Sequence, residues 1–221
     1  MANAQAVQRE KPAGKPERRF DAILDAAEIV FAESGYEGAS LRKIANLANV
    51  AQALIHYHFK NKEQLFEAMV SRRSSAINDA RAEQLDRLFA AKGAPALEEI
   101  VESLFRPTIE AGRDLEQDAG PYARILASVA NSAAERDQAL AEKYYDPIAE
   151  KYIDALQRVQ PALGLADAVW AYMFAIGVGV TMMAKTGRSN RLSDGACDDG
   201  DTEEMLGRIV PFICGGIRAL A

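Results

Sequence analysis

The chain has 221 residues, of which 49% are hydrophobic and 26% charged, and it carries a formal net charge of −6. This composition excludes a largely disordered protein, and the length allows one large domain or a small domain joined to a larger one. The two cysteines, Cys197 and Cys214, cannot form a disulfide framework and lack metal-ligand spacing, which favours a reducing, cytoplasmic compartment. The N-terminal residues contain no apolar stretch of the kind that a secretory signal needs.

The charge is unevenly distributed along the chain. Residues 1–73 carry 11 Lys and Arg against 9 Asp and Glu, whereas residues 74–221 carry 15 against 23. The acidic part would be repelled by a phosphate backbone, so we expect any contact with nucleic acid in the first third of the chain.

Residues 1–19 are polar and rich in basic side chains, and we interpret them as a flexible basic arm. This arm is either a solvated tail or a segment that reaches into a DNA groove. Apolar residues then recur at helical spacing over 20–34, and Gly35 is the expected C-terminal cap of that first helix.

Two short helices are predicted next. The Ser40 hydroxyl can cap a helix over about 41–48, and a second helix follows over about 52–59. Asn49 lies in the turn between them, where Asn can adopt a positive φ. Helices this short need the first helix as a floor, which predicts a three-helix unit over 20–66.

The remainder of the chain, residues 67–221, predicts a larger helical domain, because Pro and Gly separate long stretches rich in Ala, Leu, Glu and Arg. The predicted helices span about 62–90, 95–111, 121–132, a stretch ending near 159, 165–185 and 202–219, with a mobile loop at 186–201. The fold class is therefore all-α.

The helix over about 165–185 is apolar on all sides. Residues Ala168–Ala184 carry no charge, but Asp167 and Lys185 bound a stretch shorter than the ~20 residues of a bilayer span, so we expect no membrane contact. A helix of this kind is usually buried. The last two helices either pair with their copies in a homodimer, as a four-helix interface, or fill the core of their own chain.

The segment 40–66, SLRKIANLANVAQALIHYHFKNKEQLF, resembles the DNA-binding domain of the tetracycline-repressor (TetR) family. The matching features are Ile44-Ala45, the turn Ala48-x-Val50, the end of the second helix at His56–Phe59, Lys60–Glu63 leading into Leu65-Phe66, and Gly35-Tyr36 after the first helix. Departures lie at Asn49, often Gly in the family, at Ala51, often Ser or Thr, and at His56, often Tyr. We expect these changes to affect the operator sequence more than the fold.

The resemblance implies a ligand-responsive transcriptional regulator, a repressor, that binds a pseudo-palindromic DNA operator as a dimer. A small apolar or acidic effector would move the helix that begins near Lys62 and change the spacing of two recognition helices, which lie about 34 Å apart on DNA. A helical small-molecule binding protein without DNA-binding activity is the alternative. No GxSxG, P-loop or HExxH motif is present, so we expect no enzyme and no cofactor.

The side chains of the second short helix suit DNA contacts. Gln52 can bond an adenine edge, Ala53 can contact a thymine methyl, and Arg42 could reach a guanine. His58 is either a phosphate contact or a packing residue, and its i, i+2 spacing from His56 does not suit a shared metal ion. The predicted DNA-binding residues are Ser40, Arg42, Gln52, Ala53, His56, Tyr57, His58, Lys60 and Lys62.

An effector pocket needs apolar walls with a few polar groups. The predicted lining residues are Phe105, Tyr122, Arg124, Ile125, Leu126, Val129, Tyr152, Trp170, Met173 and Phe174. Arg106 and Arg124 lie within apolar stretches, where either could pair with an acidic ligand, with helix-end carbonyls or with an internal carboxylate.

Overall fold

A computed structural model describes residues 15–91, 93–110, 120–183 and 186–221, and all regular secondary structure within these ranges is helical. The helices are α1 (Lys15–Gly38), α2 (Leu41–Leu47), α3 (Gln52–His58), α4 (Lys62–Ala90), α5 (Leu97–Glu110), α6 (Gly120–Ala130), α7 (Glu135–Tyr144), α8 (Asp146–Val159), α9 (Leu165–Met183), α10 (Arg188–Leu192) and α11 (Thr202–Leu220). The all-α prediction is confirmed.

Helix α1 begins earlier and ends later than predicted. It starts at Lys15, so residues 15–19 are helical rather than part of a flexible arm, and residues 1–14 lie outside the described part of the chain. Gly35 interrupts the helix with φ 66° and ψ 174°, a conformation that glycine adopts easily because it lacks a Cβ. The predicted break at Gly35 is therefore present, but a short helical turn follows it as far as Gly38.

The N-terminal helices share one core. Ile23, Val30 and Phe31 of α1 are buried against α2, α3 and the first turns of α4. The same core extends beyond residue 66, because Ile125 and Val129 of α6 belong to it. Helix α6 thus packs directly on α1, and the boundary predicted between residues 66 and 67 does not separate two independent cores.

A second core joins the last turns of α4 to α5, α8, α9 and α11. The stretch predicted as one helix ending near residue 159 is two helices, α7 and α8, which meet at Tyr145 with Pro147 in the first turn of α8. The predicted loop over 186–201 contains the short helix α10. Its start is held by the Asp199 carboxylate, which accepts a 2.7 Å hydrogen bond from the Gly187 amide.

A buried ion pair connects α1 with α4. The Glu28 carboxylate accepts hydrogen bonds from Nε and Nη2 of Arg73 at 2.7 and 2.9 Å. The relative exposures of Glu28 and Arg73 are only 0% and 7%, so water screens the pair poorly. Bidentate geometry fixes the relative position of the two helices as well as satisfying both charges.

We expect Glu28→Ala to lower the free energy of unfolding by about 3–5 kcal/mol, because it leaves the Arg73 guanidinium buried without a counter-charge. Urea unfolding followed by circular dichroism measures the change. Glu83→Ala is the matched control on α4, since its partner Arg87 is exposed and such pairs contribute at most about 1 kcal/mol. Equal losses in the two variants would contradict the structural role assigned to the buried pair.

Candidate functional site

Helices α2 and α3 form a helix-turn-helix whose ends follow from local chemistry. Ser40 Oγ accepts a hydrogen bond from the Lys43 amide at 3.2 Å, which confirms the predicted cap. Asn49 takes φ 52° in the turn, as expected for a residue that tolerates the left-handed region. Ala51 precedes α3 without a side-chain cap, so α3 depends on tertiary packing for its position.

Helix α3 presents one polar face to solvent. Ile55 and Phe59 are buried and Leu54 is half-buried, as the apolar spacing predicted. The residues left exposed on the opposite side are Gln52, Ala53, His56 and Tyr57, the last with 81% of its surface accessible. Gln52 Nε2 and His56 Nε2 lie 3.3 Å apart, so one turn of α3 carries both side chains on the same face.

The basic residues around α3 fall into two groups. Arg42 and Lys60 are exposed, and in the part of the chain that the structure describes neither forms an ion pair. Lys43 instead binds Glu33 with a 3.0 Å Nζ–Oε2 distance. Arg42 and Lys60 therefore supply the cations best placed to meet a phosphate.

Lys62 is held by groups of the protein itself. Its ammonium donates to the carbonyl oxygens of Tyr36, Glu37 and Ala39 at 2.8, 3.4 and 3.4 Å. It also lies 4.4 Å from the centroid of the Tyr36 ring. Its donors therefore cap the end of α1 and hold α1 against α4, so we favour a structural role for Lys62 over the predicted phosphate contact.

His58 packs within the N-terminal unit. Its ring meets the Phe20 ring edge-to-face, with centroids 5.4 Å apart, and the residue is half-buried. Of the two roles left open by the sequence, the geometry favours packing over a phosphate contact. This contact at the end of α3 helps to fix the angle between α3 and α1.

A small cavity lies between α4, α6, α8 and α9, with a volume of about 140 Å³. Among its lining residues are Arg81, Leu126, Val129, Tyr145, Tyr172 and Met173. Leu126, Val129 and Met173 belong to the predicted pocket set, so the structure brings these members of that set together.

Other predicted pocket residues lie elsewhere. Phe105 and Tyr152 fill the second core, where the Tyr152 hydroxyl is 3.0 Å from Ser103 Oγ. Ile125 faces the N-terminal core, and Arg124 is exposed. Placing them in one pocket was wrong, because an apolar helical stretch does not reveal which neighbour each side chain meets.

The remaining residues of the predicted pocket also lie outside the cavity. The Tyr122 hydroxyl lies 2.8 Å from that of Tyr145, so Tyr122 is behind the cavity wall rather than on it. Trp170 and Phe174 are exposed on the outer side of α9, with their rings stacked 5.6 Å apart. Arg106 pairs with carboxylates, among them Glu203 at 2.8 Å, which confirms the internal-carboxylate alternative for Arg106.

Arg81 is among the cavity residues that the sequence-based prediction missed, together with Tyr145 and Tyr172. Its side chain is 97% buried, with a relative exposure of 3%. Nε donates to the Leu104 carbonyl at 2.8 Å, Nη2 to Thr108 Oγ1 at 2.9 Å, and Nη1 to Asn78 Oδ1 at 3.2 Å. The available signal was spacing: Arg81 shares one face of α4 with the buried Ile77, four residues earlier.

The outer faces of α9 and α11 form an exposed apolar groove of about 640 Å³. Large apolar side chains on this surface are Trp170, Met173, Phe174, Phe212 and Leu220. The first 18 residues of α9 are apolar enough to cross a bilayer by length and composition alone, with one third of that window buried (33%). Contiguous exposed apolar surface is typical of association sites and of ligand-binding grooves.

Two family models match this chain. Residues 23–69 match the regulatory proteins described as "Bacterial regulatory proteins, tetR family", and residues 102–216 match "Tetracyclin repressor-like, C-terminal domain". The second match covers more than half of the chain and lies outside the helix-turn-helix.

Curated relatives match over the N-terminal part. The transcriptional repressor NicS of Pseudomonas putida is 35% identical over 89 residues, which are 40% of this chain and 41% of that protein. The uncharacterized regulator YvkB of Bacillus subtilis is 45% identical over 53 residues, 24% of this chain and 28% of that protein. The chain thus spans less than half the length of these relatives.

Solved structures match over nearly the whole chain. The fatty acid degradation regulator FadR of Bacillus halodurans superposes with a TM-score of 0.63 at 19% identity, over 94% of this chain and 99% of that one. FadR of Bacillus subtilis in complex with stearoyl-CoA gives 0.60 at 17% identity, over 89% and 98%. With both family models and this shared fold, the chain belongs to the TetR family of bacterial regulatory proteins.

Proposed function

We propose that this protein is a ligand-responsive transcriptional repressor of the cytoplasm, which binds a pseudo-palindromic operator as a homodimer and is released by a small apolar or acidic effector. The observation that carries the proposal is the polar face of α3, which Ile55 and Phe59 hold outward from the N-terminal core. A recognition helix needs one edge for bases and one for its own domain. The similarity to the repressor NicS supports the same function.

We expect the exposed residues on and around α3 to contact two different parts of DNA, the base edges and the backbone. Gln52 and His56 offer hydrogen-bonding groups to base edges, while Ala53 is small enough for a thymine methyl to approach. We assign Tyr57, Lys60 and the Ser40 hydroxyl to backbone contacts, which position the protein without reading sequence. Arg42 is exposed and could reach a guanine.

A second subunit on the groove of α9 and α11 completes the proposed dimer. Phe174 and Phe212, which line the groove, lose their exposed apolar surface when an identical groove covers them, which is the self-complementary pairing of a two-fold interface. Two copies of α3 could then enter successive major grooves, about 34 Å apart.

Helix α6 connects the cavity directly to the N-terminal, DNA-binding unit. Val129 both lines the cavity and belongs to the N-terminal core, and Ile125 packs in that core one turn earlier. Arg136 of α7 adds a second contact, since its guanidinium carbon lies 3.5 Å from the centroid of the Tyr36 ring. A ligand that prefers one position of α6 would shift α1 by its difference in affinity for the two states.

A helical small-molecule binding protein without DNA-binding activity is the second candidate. The net charge of −6 favours it, because a negative chain is repelled by phosphate. Salt-dependent binding to a pseudo-palindromic duplex would decide for the repressor.

We expect Gln52→Ala and His56→Ala each to weaken operator binding by about 1–3 kcal/mol and to relax sequence preference, as loss of a base contact does. Selection of bound genomic fragments, followed by fluorescence anisotropy at fixed salt, measures both effects. Gln138→Ala, at an exposed position of α7, is the matched control and should change neither. If both α3 variants kept full affinity and the same selected sequence, the base-reading role would be wrong.

Lys60→Met and Lys62→Met should have opposite signatures. Loss of the phosphate contact at Lys60 in both subunits should reduce the dependence of log K on log[salt] by about two, with little change in stability. Loss of the Lys62 cap should leave that slope unchanged and lower the free energy of unfolding by about 1–2 kcal/mol. Salt titrations of duplex binding and urea unfolding measure the two quantities, and a reduced slope in Lys62→Met would restore its phosphate role.

Phe174→Arg combined with Phe212→Arg should convert the dimer to a monomer, because it places charge in the centre of an apolar interface. Sedimentation velocity at micromolar concentration checks the mass. Leu192→Arg is the control, since Leu192 is an even more exposed apolar residue but lies on α10, outside the groove. An unchanged dimer in the double variant would place the interface elsewhere.

A further inference from the structure

The two arginines on the buried face of α4 differ in whether a carboxylate neutralises their charge. Arg73 has the carboxylate of Glu28 as a bidentate partner. Arg81 is buried to the same degree, but its three acceptors, on Asn78, Leu104 and Thr108, are all neutral. Within the described part of the chain, no carboxylate lies within ion-pair distance of Arg81, so its charge is buried without a counter-charge.

The guanidinium also has hydrogen-bonding capacity left over. A guanidinium carries five N–H donors, of which Nε has one and each terminal nitrogen two. One donor on each of the three nitrogens of Arg81 is used by protein acceptors. A second N–H therefore remains on each terminal nitrogen, and carboxylates are the acceptors that match two such donors best.

The phenols in the cavity wall do not neutralise this charge. Burial raises the pKa of Tyr145 to about 12, and burial likewise raises the pKa of Tyr172, with Arg81 only partly opposing the effect. Both side chains thus stay protonated near neutral pH and act as donors. The Tyr145 hydroxyl is paired with Tyr122, whereas no hydrogen-bond partner for Tyr172 is found among the described residues.

One acidic residue borders the cavity without reaching Arg81. Asp146 is exposed at the start of α8, and its charge acts on Tyr172 rather than forming an ion pair with the guanidinium. Its solvent exposure leaves it hydrated. The inner end of the cavity therefore holds a buried cation and an unused hydroxyl donor, and its one carboxylate among the described lining residues, that of Asp146, lies at the exposed border.

Size and polarity limit what can fill this space. The volume of about 140 Å³ is close to the roughly 150 Å³ of a protein cavity that binds benzene. It is well below the roughly 300–1,000 Å³ of pockets for drug-sized ligands. The rest of the wall includes Leu126, Val129, Met173 and Ile176, which suit an apolar body rather than a hydrated ion.

We infer that the effector is a small monocarboxylic acid with a short aliphatic or aromatic body, whose carboxylate pairs with Arg81 and accepts a hydrogen bond from Tyr172. The inference rests on the proposed function, which assigns effector binding to this cavity, and it names the chemical class. Such a ligand supplies the missing counter-charge to α4 while its apolar part contacts α6 at Leu126 and Val129.

Isothermal titration of the full-length protein with matched probes tests the class of ligand. Hexanoate and benzoate should bind at least ten times more tightly than hexanamide and benzamide, which have the same shape without the charge. Inorganic phosphate should not bind at the concentrations that saturate the acids, because it lacks an apolar body. Equal binding of acids and amides, phosphate binding as tight as hexanoate, or no binding of either acid would overturn the inference.

Three variants assign the binding to the cavity. Arg81→Met should abolish the preference for acid over amide, and Arg87→Met, an exposed arginine on the same helix, should not change it. Tyr172→Phe should weaken hexanoate binding several-fold without lowering the melting temperature, because its hydroxyl has no partner in the described chain. Tyr172→Phe keeps the test valid even if Arg81→Met fails to fold, and unchanged hexanoate affinity in Tyr172→Phe would overturn the assignment.

Release of a selected duplex, followed by fluorescence anisotropy, separates this inference from the proposed function. Release by hexanoate or benzoate but not by their amides supports both. Release only by uncharged compounds would support the proposed repressor function and contradict the inference that the effector is an acid. Tight acid binding by a protein that binds no duplex would support the ligand class and contradict the repressor.

Discussion

Helix α4 depends on a buried stripe in which charged and apolar residues alternate at four-residue spacing. The stripe consists of Arg73, Ile77, Arg81 and Leu85. Taking an ion out of water costs several kcal/mol, so each arginine requires compensation from another helix. Glu28 on α1 supplies a carboxylate for Arg73, and the Leu104 carbonyl on α5 is among the neutral acceptors of Arg81. Both halves of the molecule are thus held to α4 by polar contacts as well as by apolar packing.

The partners of Arg73 and those of Arg81 have different consequences for how the helices can move relative to one another. The contact of Arg73 with Glu28 is complete without ligand, so it fixes α1 to α4 in any state that keeps the pair. The contacts of Arg81 satisfy its geometry but not its charge, which leaves the second half of α4 sensitive to an added anion. In the proposed response, α6 and α7 offer a second route to α1 beside α4, because they contact the N-terminal unit through apolar and aromatic side chains.

The sequence predicted best those features that short-range chemistry determines. The Ser40 cap, the positive φ at Asn49 and the burial of Ile55 all follow from residues within one or two turns. The polar face of α3 was predictable for the same reason. The resemblance to the TetR family depends on the same local features, so the physical interpretation of these residues and the resemblance predict the same structure there.

Features that depend on distant neighbours were harder to predict. The Lys62 ammonium meets a carbonyl 26 residues away, so its role as a cap on α1 could not be inferred from the residues around it. Helix α9 is apolar on every side, and no periodicity distinguishes the inward Tyr172 from the outward Trp170. Arg81 is a different case, because its spacing from Ile77 did indicate burial, although basic residues are usually exposed.

The small number of free cations near α3 bears on how easily the protein can be released from DNA. On the described surface Arg42 and Lys60 are unpaired, whereas Lys43 and Lys62 are held by protein groups. Each phosphate neutralised adds about 0.9 to the salt slope of binding, so two copies of these residues give only a modest electrostatic contribution. In the proposed repressor, base contacts from Gln52 and its neighbours would then supply much of the affinity. An affinity built in this way depends on the spacing of two α3 helices, and a coupling of about 1–3 kcal/mol is enough to change it 5- to 150-fold.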